Sequence, residues 1–389
     1  MQDCLLRKEL GSSYEAGLQR IQTMTEKSSQ SIIFSFQSLR TFTVDVFEYF
    51  KVPHEDAVLA ADVLAYADEH GIDSHGVARL KTYYDLLKAG RINPNPVISI
   101  VREKASVATI DGDNGLGLVV GPKCMQIAMK KAQDHGSGWI SVQNTNHYGA
   151  AGYYPVMALK DDLIGLSMTN TTAGVAPFLG AEKMLGTNPV AIAFPGFKEP
   201  PVVIDFASSA VSYGKVEIAK RKGEDVPFGW CLDKNGNPTH NPADMIEGGA
   251  LLPLGSDANG SGHKGYCLAS MVDILCAVLS GANWGPFVPP FAIHVSPPAK
   301  QVGKGIGHFF GAFDIEGFRD KTAFKKEIDE WVRTMRSTRP QPGAEKVLIP
   351  GDPERIAYEQ RMVTGIPVNK EVVKSLQVIA DKTGIELKV

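Results

Sequence analysis

Apolar residues recur three or four positions apart over 43–50, 55–69 and 77–88, the spacing that lines one face of a helix, so the first part of the chain reads as amphipathic helices. His54 and Ser74 stand where helix caps belong. The segment 91–98, interrupted by Pro94 and Pro96, ends that pattern and marks a domain boundary. From about 105 the texture changes to short β-rich runs at 106–111, 138–143, 163–168, 190–195, 201–206 and 291–296, interleaved with helical spacing at 122–133, 150–160 and 266–279. Helical spacing returns at 322–337, 353–364 and 370–383. The pattern predicts an α/β (α+β) protein in four segments: a polar N-terminal extension over 1–30, helical at 14–24; a helical part over 31–104; an inserted α/β domain over 105–317; and a second helical part over 318–389 that packs with the first.

Composition narrows the function. The chain has 389 residues, of which 43% are hydrophobic and 21% charged, enough apolar material for a sizeable core and too much for disorder as the main state. Its formal net charge is −3, with no long Lys/Arg run, which argues against nucleic acid or an anionic membrane as the main partner and for a small ligand. No apolar run approaches the roughly 18 residues that spanning needs, and the first thirty residues lack a secretory pattern. Five cysteines, an odd number with no Cys-x-x-Cys pair, indicate neither a disulfide framework nor a thiolate zinc site. The expectation is a soluble cytoplasmic protein.

Two glycine-rich stretches invite a dinucleotide reading. Gly115-Leu116-Gly117 with Gly121 has its third glycine one residue late, and Asp134 falls at a helix end. Gly260-Ser261-Gly262-His263-Lys264-Gly265 matches G-x-G-x-x-G but follows a polar loop instead of a strand. Lys264 and Gly265 at a helix start nevertheless suit a cofactor phosphate, because helix N-termini offer free N–H groups and partial positive charge. The plainer reading is a flexible loop with a surface lysine. His75 and Arg79 stand four apart, and an imidazole beside a guanidinium suits a carboxylate-bearing substrate; the plainer reading leaves Ser74 as a cap and the other two solvated. His147, after the run 138–143 and two residues before Gly149, sits where α/β proteins place acid/base groups, although a structural histidine fits equally well. No ligand spacing for a metal, no Gly-x-Ser-x-Gly elbow and no P-loop occurs, so the site is expected to need no metal.

Taken together, the stretches Asp73-Ser74-His75-Gly76-Val77 with Arg79, 146–154, 185–189, 204–209, 213–215, 227–230, 233–238, 263–266 and 349–352 resemble the malate/L-lactate dehydrogenase-like family of NAD(P)-dependent oxidoreductases, from about residue 35 to the end. That family also holds sulfolactate, ureidoglycolate and diketogulonate enzymes. The resemblance implies a fold other than the doubly wound Rossmann sheet: a helical domain from both chain ends, an inserted mixed-sheet nucleotide-binding domain, and a homodimer. It implies His147 as proton acceptor, His75 as a second acid/base residue, Ser74 as a polar neighbour and Arg79 as the carboxylate clamp. Thr171, the run Asp205-Phe206-Ala207, Lys264 and Gly265 match the family's nicotinamide-dinucleotide contacts, with Thr187, Asn188 and Gly351 as weaker matches. The cofactor it implies is NAD, with NADP as the alternative, and the substrate is a small 2-hydroxy or 2-oxo acid, malate first, then lactate, sulfolactate or ureidoglycolate. The loop before Lys264 departs from the compact form of many relatives, and its Asp257 adds negative charge near the supposed phosphate. From the residues alone, a non-redox hydrolase or lyase using paired histidines is the runner-up, and a nucleotide-binding protein without catalysis comes after it.

Overall fold

A computed structural model describes residues 31–389; the extension expected over 1–30 and its helix at 14–24 lie outside the described residues. Strand β1 (Ser31–Phe34) leads into α1 (Phe36–Tyr49), whose Ser35 Oγ accepts the Ser38 N–H at 3.0 Å and so occupies one of the donors a helix start leaves free. Leu39, Phe42, Val46 and Phe47 form its buried face and pack on α2 (His54–Glu69) and α3 (Leu80–Lys88). At the other end of the chain, β12 (Ile366–Asn369) pairs antiparallel with β1, and Leu376, Ile379 and Ala380 of α11 (Lys370–Thr383) enter the same core. The two ends of the described residues therefore share one apolar cluster. His54 is not a cap, since Pro53 holds that position, and Ser74 caps no helix: the chain after it enters a short 3₁₀ turn, Val77–Arg79, behind Gly76.

Between these ends lies a seven-stranded sheet of order β2 (Ser99–Lys104), β3 (Val107–Gly115), β4 (Ser137–Thr145), β11 (Ile306–Asp314), β5 (Leu163–Thr169), β6 (Val190–Phe194), β7 (Val202–Phe206). Only β3 and β4 run parallel; every other neighbouring pair is antiparallel. This mixed sheet is unlike the all-parallel doubly wound arrangement, as the failure of both glycine stretches as dinucleotide turns anticipates. It opens at Ser99, ahead of the boundary expected at 105.

Two expectations fail here. The central strand β11 is absent from the sequence reading, although seven of its nine residues are buried. Its glycines disguise it: a Cβ on Gly307 would stand 2.0 Å from the Cys276 carbonyl oxygen, and one on Gly311 would stand 2.8 Å from the Trp139 ring. Conversely, the run 291–296 alternates like a strand but forms none. Prolines at 289, 290, 297 and 298 flank it and cannot donate to a ladder. Arg91 instead holds the start of the segment, donating to the carbonyls of the flanking Pro290 at 3.0 Å and of Ala292 at 3.1 Å.

Helix α4 (Gly117–His135) covers one face of the sheet and begins five residues before the expected start, with Pro122 inside it. Beyond it come α5 (Tyr153–Ala158), α6 (Tyr213–Lys222), α7 (Pro242–Ile246) and α8 (Gly262–Asp273), the last continuing into a π turn, Ile274–Val278. The short strands β8 (Cys231–Leu232), β9 (Pro238–Thr239) and β10 (Ala250–Leu251) make a small second sheet. Of the tail helices, α9 (Lys321–Arg336) sits on the sheet's far edge, where Asp329 accepts the N–H groups of Phe197, Lys198 and Glu199, and α10 (Asp352–Thr364) follows it. No helix among the described residues is long and apolar enough to cross a membrane.

Candidate active site

The turn between α2 and α3 carries three of the expected residues. Ser74 Oγ lies 2.7 Å from His75 Nδ1, and Arg79 Nε donates to the Ser74 carbonyl at 2.6 Å. The two terminal nitrogens of Arg79 have no protein partner among the described residues, so the end of the guanidinium fork remains available to grip a carboxylate through both of them.

His147 arrives from the loop after β4. A Cβ on Gly117 would stand 2.2 Å from the Asn146 carbonyl oxygen and one on Gly121 would stand 2.5 Å from the Tyr154 ring, so the first glycine stretch serves to seat α4 against this loop. Gly149 has φ +78 and a Cβ there would meet Val63 at 2.8 Å; only glycine turns the chain at that point. The imidazole is sandwiched: Phe291 stacks on it with centroids 4.1 Å apart and planes 11° from parallel, and the His75 ring stands 5.8 Å away at 20°. Tyr83 Oη lies 2.6 Å from Nδ1, the Gly149 N–H approaches the same atom at 3.3 Å, and Nε2 has no partner among the described residues.

Electrostatics favour the neutral base. Burial first, then repulsion from a protonated His75 and from the Arg79 guanidinium, hold His147 well below the usual histidine range. Burial and Arg79 lower His75 to about 4. Burial pushes the fully enclosed Tyr83 phenol up, so it stays protonated. Tyr83 and Phe291 were not anticipated from the sequence. Tyr83 stands four residues after Arg79 on one helix face, which could have flagged it; Phe291 lay hidden in the false strand.

The residues matched to cofactor contacts gather on the adjoining sheet edge. Thr171 Oγ1 accepts the Thr187 N–H at 3.0 Å, and Asn188 accepts the Thr171 N–H at 3.1 Å while donating to the Ala269 carbonyl at 3.0 Å. Asn188 thus spends both ends of its buried amide inside the protein, bracing α8 against the sheet. Asp205 and Phe206 end β7 at the surface, followed by Ala207, and Asp205 Oδ2 accepts the Gly152 N–H at 2.8 Å. Gly351, at φ +97, lies against Val203 of the same strand.

Lys264 is exposed in the first turn of α8 with no carboxylate partner among the described residues. The glycines around it are dictated by packing: a Cβ on Gly262 or Gly265 would come within 2.3 Å of a carbonyl oxygen of the preceding loop. Asp257 turns inward, its Oδ1 accepting the N–H groups of Asn259 and Gly260 at 2.9 and 3.0 Å. The two halves meet through Thr172, whose Oγ1 accepts the Phe291 N–H at 3.1 Å, and through the Asp205–Gly152 bond.

The sequence model of the family described as malate/L-lactate dehydrogenase matches residues 34–377. The chain belongs to that family. It is 43% identical over 349 residues to a malate dehydrogenase of Pyrococcus horikoshii, covering 90% of this chain and 94% of that one. An L-sulfolactate dehydrogenase of Methanocaldococcus jannaschii is 40% identical, with 92% and 99% covered. The crystal structure of malate dehydrogenase from Entamoeba histolytica superposes with a TM-score of 0.86 at 33% identity, covering 92% of this chain and all of that one. This malate/L-lactate dehydrogenase family member is therefore an oxidoreductase, and the mixed-sheet fold implied by its motifs is the fold it has.

Proposed function

We propose that the protein catalyses reversible NAD-linked hydride transfer at C2 of a small 2-hydroxy acid, with malate and oxaloacetate as the pair of first choice. The observation that carries this reading is the convergence of His147, its Nδ1 held by Tyr83, with the turn that bears His75 and the free fork of Arg79. In the oxidising direction the hydroxyl proton passes to the neutral His147 imidazole while the C2 hydrogen leaves with its electron pair and the C–O bond becomes a carbonyl; a placed base of this kind accelerates typically 10²- to 10⁴-fold. Arg79 holds the 1-carboxylate and so fixes where C2 lies.

The donor set of the neighbouring edge fits a dinucleotide: an exposed lysine at a helix start, without a carboxylate partner among the described residues, for the phosphates, threonine hydroxyls at 171 and 187, and the exposed Phe206 at a strand end. When bound, the dinucleotide supplies the hydride acceptor. Lys264, Gly265, Thr171, Thr187 and the run Asp205-Phe206-Ala207 would hold it, with Gly351 shaping the β7 edge behind them. With Asp257 turned into its own loop, the choice of NAD over NADP rests on the resemblance of the motifs.

We further propose a cytoplasmic homodimer. Cys267, Met271, Ile274 and Val278 expose one apolar face along α8 and its π turn, which a second copy would cover. The deciding experiment follows absorbance of NADH and NADPH with oxaloacetate, pyruvate and sulfopyruvate in turn. The reading expects fastest loss with NADH and oxaloacetate; no loss with any acceptor overturns it in favour of non-redox chemistry on the paired histidines.

A further inference from the structure

The turn that presents His75 and Arg79 is held from behind by two groups outside the motif that carries it. Asp68, in the last turn of α2, is only 5% exposed, a position where a carboxylate opposes the helix dipole and loses its hydration. Burial raises it to about 8. Its carboxyl is nonetheless engaged: Oδ2 accepts the Val77 N–H at 2.8 Å, at the start of the 3₁₀ turn that ends in Arg79. Gly76 is the residue that lets it in, since a Cβ there would lie 1.9 Å from Asp68 Oδ1.

The second group comes from the far end of the chain. Arg361, in the last turn of α10 and 13% exposed, donates to the Asp68 carbonyl oxygen and forks onto the Asp73 carboxylate at 2.6 and 3.3 Å. Asp73 directly precedes Ser74 and His75, so one guanidinium ties the end of α2 to the entry of the turn while Asp68 ties the same helix to its exit. An isolated buried carboxylate is a poor stabiliser compared with an apolar side chain of similar size. A pair of polar ties spanning both ends of one short segment has a different effect, which is to fix its geometry.

We propose that Arg361 and Asp68 are positioning residues for substrate binding, setting the turn so that the Arg79 fork meets the substrate carboxylate. The inference rests on Arg79 being the clamp. Neither residue touches substrate; both act through the turn. Because small misplacements of a binding group are costly, loss of the Arg361 tie should raise KM for the oxo acid by about tenfold.

The test compares Arg361→Met, Arg361→Lys, Asp73→Asn and Arg79→Met in the full chain, reading KM for oxaloacetate, kcat and NADH affinity by fluorescence titration. Arg361→Met should raise KM with kcat and NADH affinity within twofold of the parent. Arg361→Lys, which keeps the charge, should recover part of the loss, and Asp73→Asn, an exposed change that spares the fold, should raise KM by less than Arg361→Met. An unchanged KM in both Arg361→Met and Asp73→Asn, with KM raised in Arg79→Met, overturns the positioning role and leaves the clamp standing. An unchanged KM in Arg79→Met overturns the clamp itself. Parallel loss of NADH affinity and oxo acid KM in Arg361→Met, without recovery in Arg361→Lys, marks a general loss of structure and also overturns the proposal.

Discussion

The two halves of the site differ in how much of their chemistry is already engaged. Around His147 nearly everything is paired: Tyr83 at Nδ1, Phe291 and His75 over the ring faces, Arg79 anchored by its Nε. Along the sheet edge more of the groups matched to cofactor contacts stand open: Lys264 has no carboxylate partner among the described residues and Phe206 is exposed, while Asp205, Asn188 and the threonines are bound into the scaffold. In the proposed reading the half around His147 is pre-organised for proton transfer, where a small misplacement is costly, whereas the other half leaves more of its polar groups to a ligand that brings its own charge. The prediction with the largest effect follows from that contrast. His147→Ala should lower kcat for malate oxidation by about 10²- to 10⁴-fold while NADH affinity is kept. Turnover at the parent rate would remove His147 as the base.

A smaller effect separates orientation from chemistry. The base form needs a free lone pair on Nε2, which puts the proton on Nδ1; Tyr83 Oη at 2.6 Å then accepts it, and the Gly149 N–H at 3.3 Å from Nδ1 is a contact and not a hydrogen bond in this tautomer. The phenol can donate onward to the His147 carbonyl at 3.4 Å. Tyr83→Phe keeps the ring that packs on Phe291, at 4.9 Å between centroids, and removes only the oxygen. It should lower kcat by about tenfold, with KM little changed, as expected for one lost hydrogen bond of order 1 kcal/mol. If kcat is unaltered, His147 is oriented by its stacking partners alone.

On the open half, Lys264→Met should weaken NADH binding several-fold, consistent with an exposed charge contributing at most about 1 kcal/mol, and the difference from the parent should shrink as salt is added. Affinity that is equal in both proteins at low salt would place the phosphates elsewhere.

How far the sequence leads differs between these halves for the same physical reason. His75, Arg79 and His147 are read from short motifs because a turn and a strand end need particular neighbours: Gly76 beside a buried carboxylate, Gly149 at positive φ. The contact between those motifs is invisible in one dimension, as is Tyr83 reaching a residue 64 positions on. The mixed sheet is legible strand by strand except at β2, which the sequence reading leaves inside the helical part, and at β11, where Gly307 and Gly311 are required by close packing and weaken the strand signal. Residues 291–296 read as a strand from their β-rich composition, but prolines on both sides bar the chain from extending a ladder there, so the segment that covers His147 is misread. The G-x-G-x-x-G run shows the converse, a pattern whose glycines are already required by the packing of a neighbouring loop.

The smallest predicted effect concerns acid stability and tests whether the base half is as dry as its packing implies. His75 and His308 are lowered to about 4 and about 3, chiefly by burial, and His147 lies well below the usual range. Between those values and the unfolded value near 6.5, the unfolded chain binds more protons than the folded one, so stability rises with pH and is lost as pH falls from about 6.5 toward 4. Removing one of these groups should flatten that slope without abolishing it. His75→Gln cannot take up the proton, so its thermal midpoint should drop less than the parent's between pH 7 and pH 5. The difference should be about 1 to 2 °C, because His75 is only half-buried and part of its shift is screened. Identical slopes in the two proteins would mean that the His75 imidazole is hydrated in solution and that its stacking with His147 is looser than 5.8 Å between centroids implies.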